Sequence, residues 1–166
     1  SYLIGTSDRN NFFTNVIEDK HHRLYAMGFK GLYLKKDTVW QKLDSVSRFL
    51  HATKGLKDTT WFMKEDALYY TDAKSIIPIR LKETQTKRNY KLFIDSKGLL
   101  WVLALDGIGY FKGAHYTVVC DQAGFMSIVE YDGAYFLGSN GAGLFKWNPT
   151  TKLLQHVDAV KETSVT

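Results

Sequence analysis

Cysteine, proline and long apolar runs are almost missing from this chain. Its single cysteine, Cys120, excludes any disulfide within the chain. That leaves either the cytoplasm or a larger exported fold that needs no covalent staples. Two prolines stand against thirteen glycines, a balance that favours tight glycine turns over long helices. Nothing approaches the run of about 18 apolar residues that spans a bilayer, so any membrane attachment would lie in segments outside this chain. No run of five or more like charges occurs either. The net charge of +5 is spread over small clusters: Lys20–Arg23 with His21 and His22, Lys35–Lys36, Lys82, and Lys87–Arg88. Such clusters read as a solvated surface, and no nucleic-acid motif accompanies them. An initiator methionine and a signal peptide are also missing, so the sequence reads as a mature or excised segment.

Aromatic residues are abundant, at 14% of the 166 residues, and apolar residues make up 45%. This suffices for one domain with its own core. The stretch YFLGSNGAGLFKWNP (135–149) reads as strand, turn, strand and stop, and it resembles WVLALDGIGYFKG from Trp101 onward. Aligning on a small residue followed by two apolar ones gives Gly31-Leu32-Tyr33, Ala67-Leu68-Tyr69, Gly109-Tyr110-Phe111 and Gly143-Leu144-Phe145, spaced by 36, 42 and 34 residues. An earlier aromatic begins each incoming strand: Tyr25, Trp61, Trp101 and Tyr135. Before each of these runs an apolar strand and a turn. The segments 16–27, 92–104 and 127–138 share an Asp in that turn. In the second copy (49–63) the turn reads as longer and the pattern is the most degraded.

The opening stretch YLIGTSDRNNFF lies over YFLGSNGAGLFK, with Tyr2 on Tyr135, Gly5 on Gly138 and Phe12 near Leu144. The expected organisation is therefore one domain over 1–166: a partial repeat 1–15, full repeats of about 16–48, 49–88, 89–121 and 122–158, and a tail 159–166. The two ends are in matching phase. If they join, a five-bladed ring results. If the array does not close, its end blades keep exposed faces and the chain should associate.

A period near 37 residues is too long for leucine-rich repeats, and no 3.6-residue periodicity supports helical ones. Helical readings of VIEDKHHRLYAM and VDAVKETSVT lack good caps and are rejected. The prediction is all-β: a β-propeller, or a propeller segment, of about four to five small antiparallel blades packed face to face. Trp61 and Trp101, and then Tyr33, Tyr69 and Phe145, are expected in blade-to-blade packing. Cys120 reads as a buried strand residue.

These residues resemble the two-component regulator propeller repeat. Asp95, Gly98 and Trp101 match its turn and Trp. Gly138-Ser139-Asn140, Gly143-Leu144-Phe145 and IGTSD (4–8) match its later part. Tyr25 departs from the Trp, and Lys64-Glu65 from the Gly-Thr segment. The resemblance implies an extracytoplasmic or periplasmic sensor region of a hybrid two-component system, of the kind found in gut Bacteroidetes, with oligosaccharides as ligands. A neighbouring propeller or kinase-linked domain is the alternative partner, and a homodimer is a further option. A structural propeller of an exported assembly, and a propeller-fold glycan lyase or hydrolase, are the competing readings.

No nucleophile–base–orienter pattern is legible, so the segment itself reads as non-catalytic. His21 and His22 are adjacent and point apart, and the remaining histidines are scattered. Neither a metal nor a cofactor is expected. GSNGAG lacks the Lys-Ser/Thr ending of a phosphate loop and reads as a hairpin turn. The candidate ligand-binding surface is positional: the loops 6–10, 28–31, 64–67, 105–109 and 139–143 share one place in the repeat. Asp8, Arg9, Lys30, Glu65, Asp106 and Asn140 could hydrogen-bond sugar hydroxyls there, and Phe29 could stack on a sugar face.

Overall fold

The computed structural model describes residues 12–44, 48–56, 58–64, 67–71, 76–79, 89–113, 115–121 and 123–158. These residues form four antiparallel sheets, each of four strands in chain order. The first holds β1 (Phe13–Glu18), β2 (Leu24–Gly28), β3 (Gly31–Lys36) and β4 (Val39–Asp44). In the second lie β5 (Phe49–Lys54), β6 (Thr60–Lys64), β7 (Leu68–Thr71) and β8 (Ile76–Ile79). The third consists of β9 (Asn89–Ile94), β10 (Leu100–Ala104), β11 (Gly107–Lys112) and β12 (His115–Cys120). The fourth is built from β13 (Phe125–Tyr131), β14 (Ala134–Ser139), β15 (Leu144–Asn148) and β16 (Leu153–Val157). Contacts between successive sheets run through their first and second strands, β1 and β2 to β5, β5 and β6 to β9, and β10 to β13. The blades thus pack face to face through these two strands, as in a β-propeller.

One irregularity recurs in every blade. Near its start the first strand carries a β-bulge: Phe13 and Asn15, Phe49 and His51, Asn89 and Lys91, and Phe125 and Ser127 pair with successive residues of the second strand. A bulge pins register, because the strand cannot slip past it without misplacing the extra residue. Residues 13, 49, 89 and 125 thus mark the phase, at intervals of 36, 40 and 36.

This phase corrects two sequence alignments. Leu32 and Leu68 correspond to Ile108 and Leu144, each the third-strand partner of the residue next to the hairpin closure. The third copy is therefore Gly107-Ile108-Gly109, two residues earlier than Gly109-Tyr110-Phe111. The counterpart of Tyr25, Trp61 and Trp101 is Phe136, not Tyr135. A one-residue offset reverses the face of a strand residue. Tyr25, Trp61 and Trp101 accordingly point toward the following blade, whereas Tyr135 points back at the preceding one.

Each blade junction holds one apolar cluster. Tyr25, Met27 and Leu32 of the first blade meet Phe49 and Phe62 of the second. Met63 and Leu68 then meet Leu92, Leu100 and Val102. At the third junction Trp101, Leu103 and Ile108 meet Phe125, Tyr135, Leu137 and Trp147. Trp101 is fully buried there, 4.6 Å from the Tyr135 ring and 5.2 Å from Trp147. Trp61 does not match it: it is half-buried beside Tyr70 at 5.4 Å. Tyr33 is buried, while Tyr69, Phe145 and Cys120 are only partly so.

The turns between first and second strands also differ from expectation. Residues 19–23, 55–59 and 95–99 are equally long, so the second copy has no extra length. It has lost the Asp instead, since Gly55 stands where Asp19 and Asp95 stand and keeps the same backbone closure, from its N–H to Thr59. The fourth turn is the short one. Asp132 and Gly133 form a two-residue hairpin with positive φ at both (48° and 71°). Residues 16–27 are strand, turn and strand rather than helix, as expected.

Candidate functional site

Antiparallel order places the second-to-third-strand turns at the same end of the blades as the links from one blade to the next. Among the candidate residues, Asp8, Arg9 and Glu65 lie outside the described residues, as do the loop 6–10, the opening 1–11 and the tail 159–166. The other candidates fall into two clusters.

The first surrounds the turn 29–30. Phe29 donates its N–H to the Phe12 carbonyl at 3.2 Å, which fixes the turn against the residue preceding β1. The two rings meet edge to face at 4.9 Å, and both are exposed. Arg48, the residue before β5, sets its guanidinium carbon 4.4 Å from the Phe29 ring centroid, within cation–π range. Lys30 is exposed beside them. The result is an aromatic platform with a cation already seated on it. Phe12 and Arg48 were not identified from sequence. The available signal was their shared position, immediately before the Phe that opens a first strand (Phe13, Phe49).

The second cluster joins the third and fourth blades. Asp106 is half-buried in a two-residue turn with Leu105, because Ala104 pairs with Gly107. The expected loop 105–109 is thus shorter: Gly107, Ile108 and Gly109 are buried in β11. The Leu105 carbonyl lies against Gly124, where a Cβ would come within 2.4 Å of it. Asn140 donates its N–H to the Gly124 carbonyl at 2.9 Å. Both turns therefore clasp the inter-blade link, with Asn140 exposed. The loop 139–143 is a hairpin turn. Ser139 Oγ donates to the Gly143 carbonyl at 2.8 Å and accepts from the Ala142 N–H at 2.9 Å.

Lys64, at the edge of the expected loop 64–67, is no loop residue. It is buried, bonds Asp44 Oδ2 at 2.7 Å, and lies 4.7 Å and 4.5 Å from the Phe49 and Tyr69 ring centroids. Burial would lower its pKa, but the hydrogen bonds to Asp44 and Tyr69 outweigh that and raise it. It locks the first blade to the second. At the opposite end of the blades, His22 bonds Glu18 at 2.6 Å and His21 lies 3.6 Å from Asp58. Among the described residues no three His, Cys, Asp or Glu side chains gather as a metal would need.

The class defined by these blades is the β-propeller, and solved structures of that kind resemble it. No protein-family model matches the chain, and no curated protein matches it in sequence. One similar structure is described as the extracellular domain of a one component system of B. thetaiotaomicron. It has a TM-score of 0.76 and 13% identity, over 96% of this chain and 24% of that one. A second, described as the extracellular domain of a hybrid two component system of the same organism, gives 0.72 and 16%, over 89% and 24%. A streptogramin B lyase structure gives 0.71 and 15%, over 95% and 58%. The chain thus spans about a quarter of each sensor domain.

Proposed function

We propose that this chain is a non-catalytic ligand-binding segment of an extracytoplasmic sensor propeller, with an oligosaccharide as its ligand. The observation that carries this reading is the Phe12–Phe29–Arg48 platform, exposed at the loop end of a rigid scaffold. A sugar ring offers an apolar face for an aromatic ring and hydroxyls for a guanidinium, an ammonium or an amide. Lys30 supplies a second donor next to the platform. The similarity to extracellular sensor domains supports the extracytoplasmic setting, and that to a lyase keeps turnover as the alternative. The test is calorimetric titration with an oligosaccharide panel, followed by product analysis. Binding without turnover, lost in Phe29→Ala and weakened in Arg48→Ala, is the expected result. Turnover would move the chain to the lyase class. Binding unaffected by both substitutions would place the ligand elsewhere.

A further inference from the structure

Cations gather around the turn that carries Phe29. Arg48 covers one face of the Phe29 ring, and Lys30 is the next residue of the turn; both are exposed. Lys42 of β4, also exposed, runs alongside. Its Cε is 3.4 Å from where a Gly31 Cβ would stand, and its Nζ is 5.8 Å from the Tyr33 ring centroid. Among the described residues none of the three cations has a carboxylate partner. Asp44, the acid of the same strand, is held by Lys64 at 2.7 Å. The parts are fixed relative to one another. The Phe29 N–H bonds the Phe12 carbonyl, and the Thr14 hydroxyl donates to the Phe49 carbonyl at 2.9 Å. The second bond ties the start of β5, and with it Arg48, to β1. The fold does not demand this chemistry. At the third junction the same register positions hold Leu105, Asp106 and Gly124, with neither an aromatic ring nor a cation.

We infer that, given an oligosaccharide ligand as proposed above, this platform selects an acidic one, whose carboxylate or sulfate group is met by Arg48, Lys30 and Lys42. A sugar cannot stack on the face of Phe29 that Arg48 covers. What that face presents instead is a guanidinium. Its donors match two oxygens of a carboxylate or a sulfate at once, a fit that a single hydroxyl does not give. Three like charges around one turn also repel one another, and an anionic group offsets that repulsion where a neutral sugar leaves it. Phe12, exposed beside Phe29, remains as apolar surface for the body of the sugar ring.

Calorimetric titration with matched sugars tests this: a galacturonic acid oligomer against its carboxyl-reduced form, and a sulfated galactose oligomer against its desulfated form. At least one acidic member should bind at least about tenfold more tightly than its neutral match, and its affinity should fall as salt rises. The pair that shows the preference tells a carboxylate from a sulfate. Arg48→Ala and Lys30→Ala should erase the preference. Arg48→Lys should recover only part of it, because an ammonium lacks the fork. These side chains are exposed, so the melting temperature should hold in every variant. Equal binding of acidic and neutral members, still lost in Phe29→Ala, would overturn the acidic inference and leave the oligosaccharide reading standing. Binding of polyglutamate as tight as that of the acidic sugars would overturn it too, since charge alone would then suffice. Binding of neither kind of sugar would overturn both readings.

Discussion

Asp95 shows how much one side chain can organise. Its Oδ1 accepts the N–H groups of Lys97 and Leu99 and so shapes its own turn. Its Oδ2 accepts the Trp101 indole N–H at 3.0 Å and, from the next blade, the Tyr135 hydroxyl at 2.5 Å. Burial, and then the Asp95 hydrogen bond, push the Tyr135 pKa up. Asp95→Ala would leave two buried donors without an acceptor and should cost about 3–5 kcal/mol in urea melts, since each orphaned group forfeits its desolvation. His51 supplies a pH dependence. Its Nδ1 accepts the Leu92 N–H at 3.3 Å across a blade junction, and burial with nearby Lys91 lowers its pKa to about 4. The unfolded chain takes up a proton near pH 6.5 that the folded chain refuses until about 4. Stability should therefore fall as pH drops through that window and level off below it, by about 2–3 kcal/mol. Histidine-to-glutamine substitution at 51 should flatten that slope in chemical melts at a series of pH values.

At the scale of the element, the two tryptophans separate. Trp101→Ala empties a fully buried site among Tyr110, Tyr135 and Trp147 and should cost about 3–5 kcal/mol. Trp61→Ala removes a half-buried ring and should cost less than half as much; equal losses in denaturant would contradict this packing. Sequence alone equated the two, because both follow the same turn. The hairpins and their glycine turns were legible because they are local: the residues that set them are neighbours in the chain. Two offsets were not. Shortening the fourth turn to Asp132-Gly133 moved Tyr135 by one place, and Gly107 and Gly109 offered two equivalent starts. Phe29 and Lys30 are exposed in the second-to-third-strand turn where the repeat placed them. Arg48 and the burial of Lys64 were missed, since both depend on a neighbouring blade.

Across the whole molecule, side-chain ties cross each junction. Lys64 reaches Asp44 from the second blade to the first, His51 meets Leu92, and Glu130 of the fourth blade accepts the Ser96 N–H and hydroxyl at 2.7 and 2.6 Å. Repeat arrays are stabilised largely by such neighbour interfaces. Lys64→Met removes the ammonium from the Asp44 carboxylate and from the Phe49 and Tyr69 rings, and should cost about 1–3 kcal/mol. Hydrogen exchange should quicken around β4, β5 and β6 while β14 and β15 keep their protection; uniform quickening would instead show all four blades opening as one unit. The recurring bulge has a genetic consequence as well. Removing codons 49–88 would join Arg48 to Asn89 and set the bulge at Asn89 where the one at Phe49 stood. Recombination between these homologous points can add or remove a blade in frame without shifting any strand's inside and outside, so blade number can change over evolution faster than the pattern within a blade.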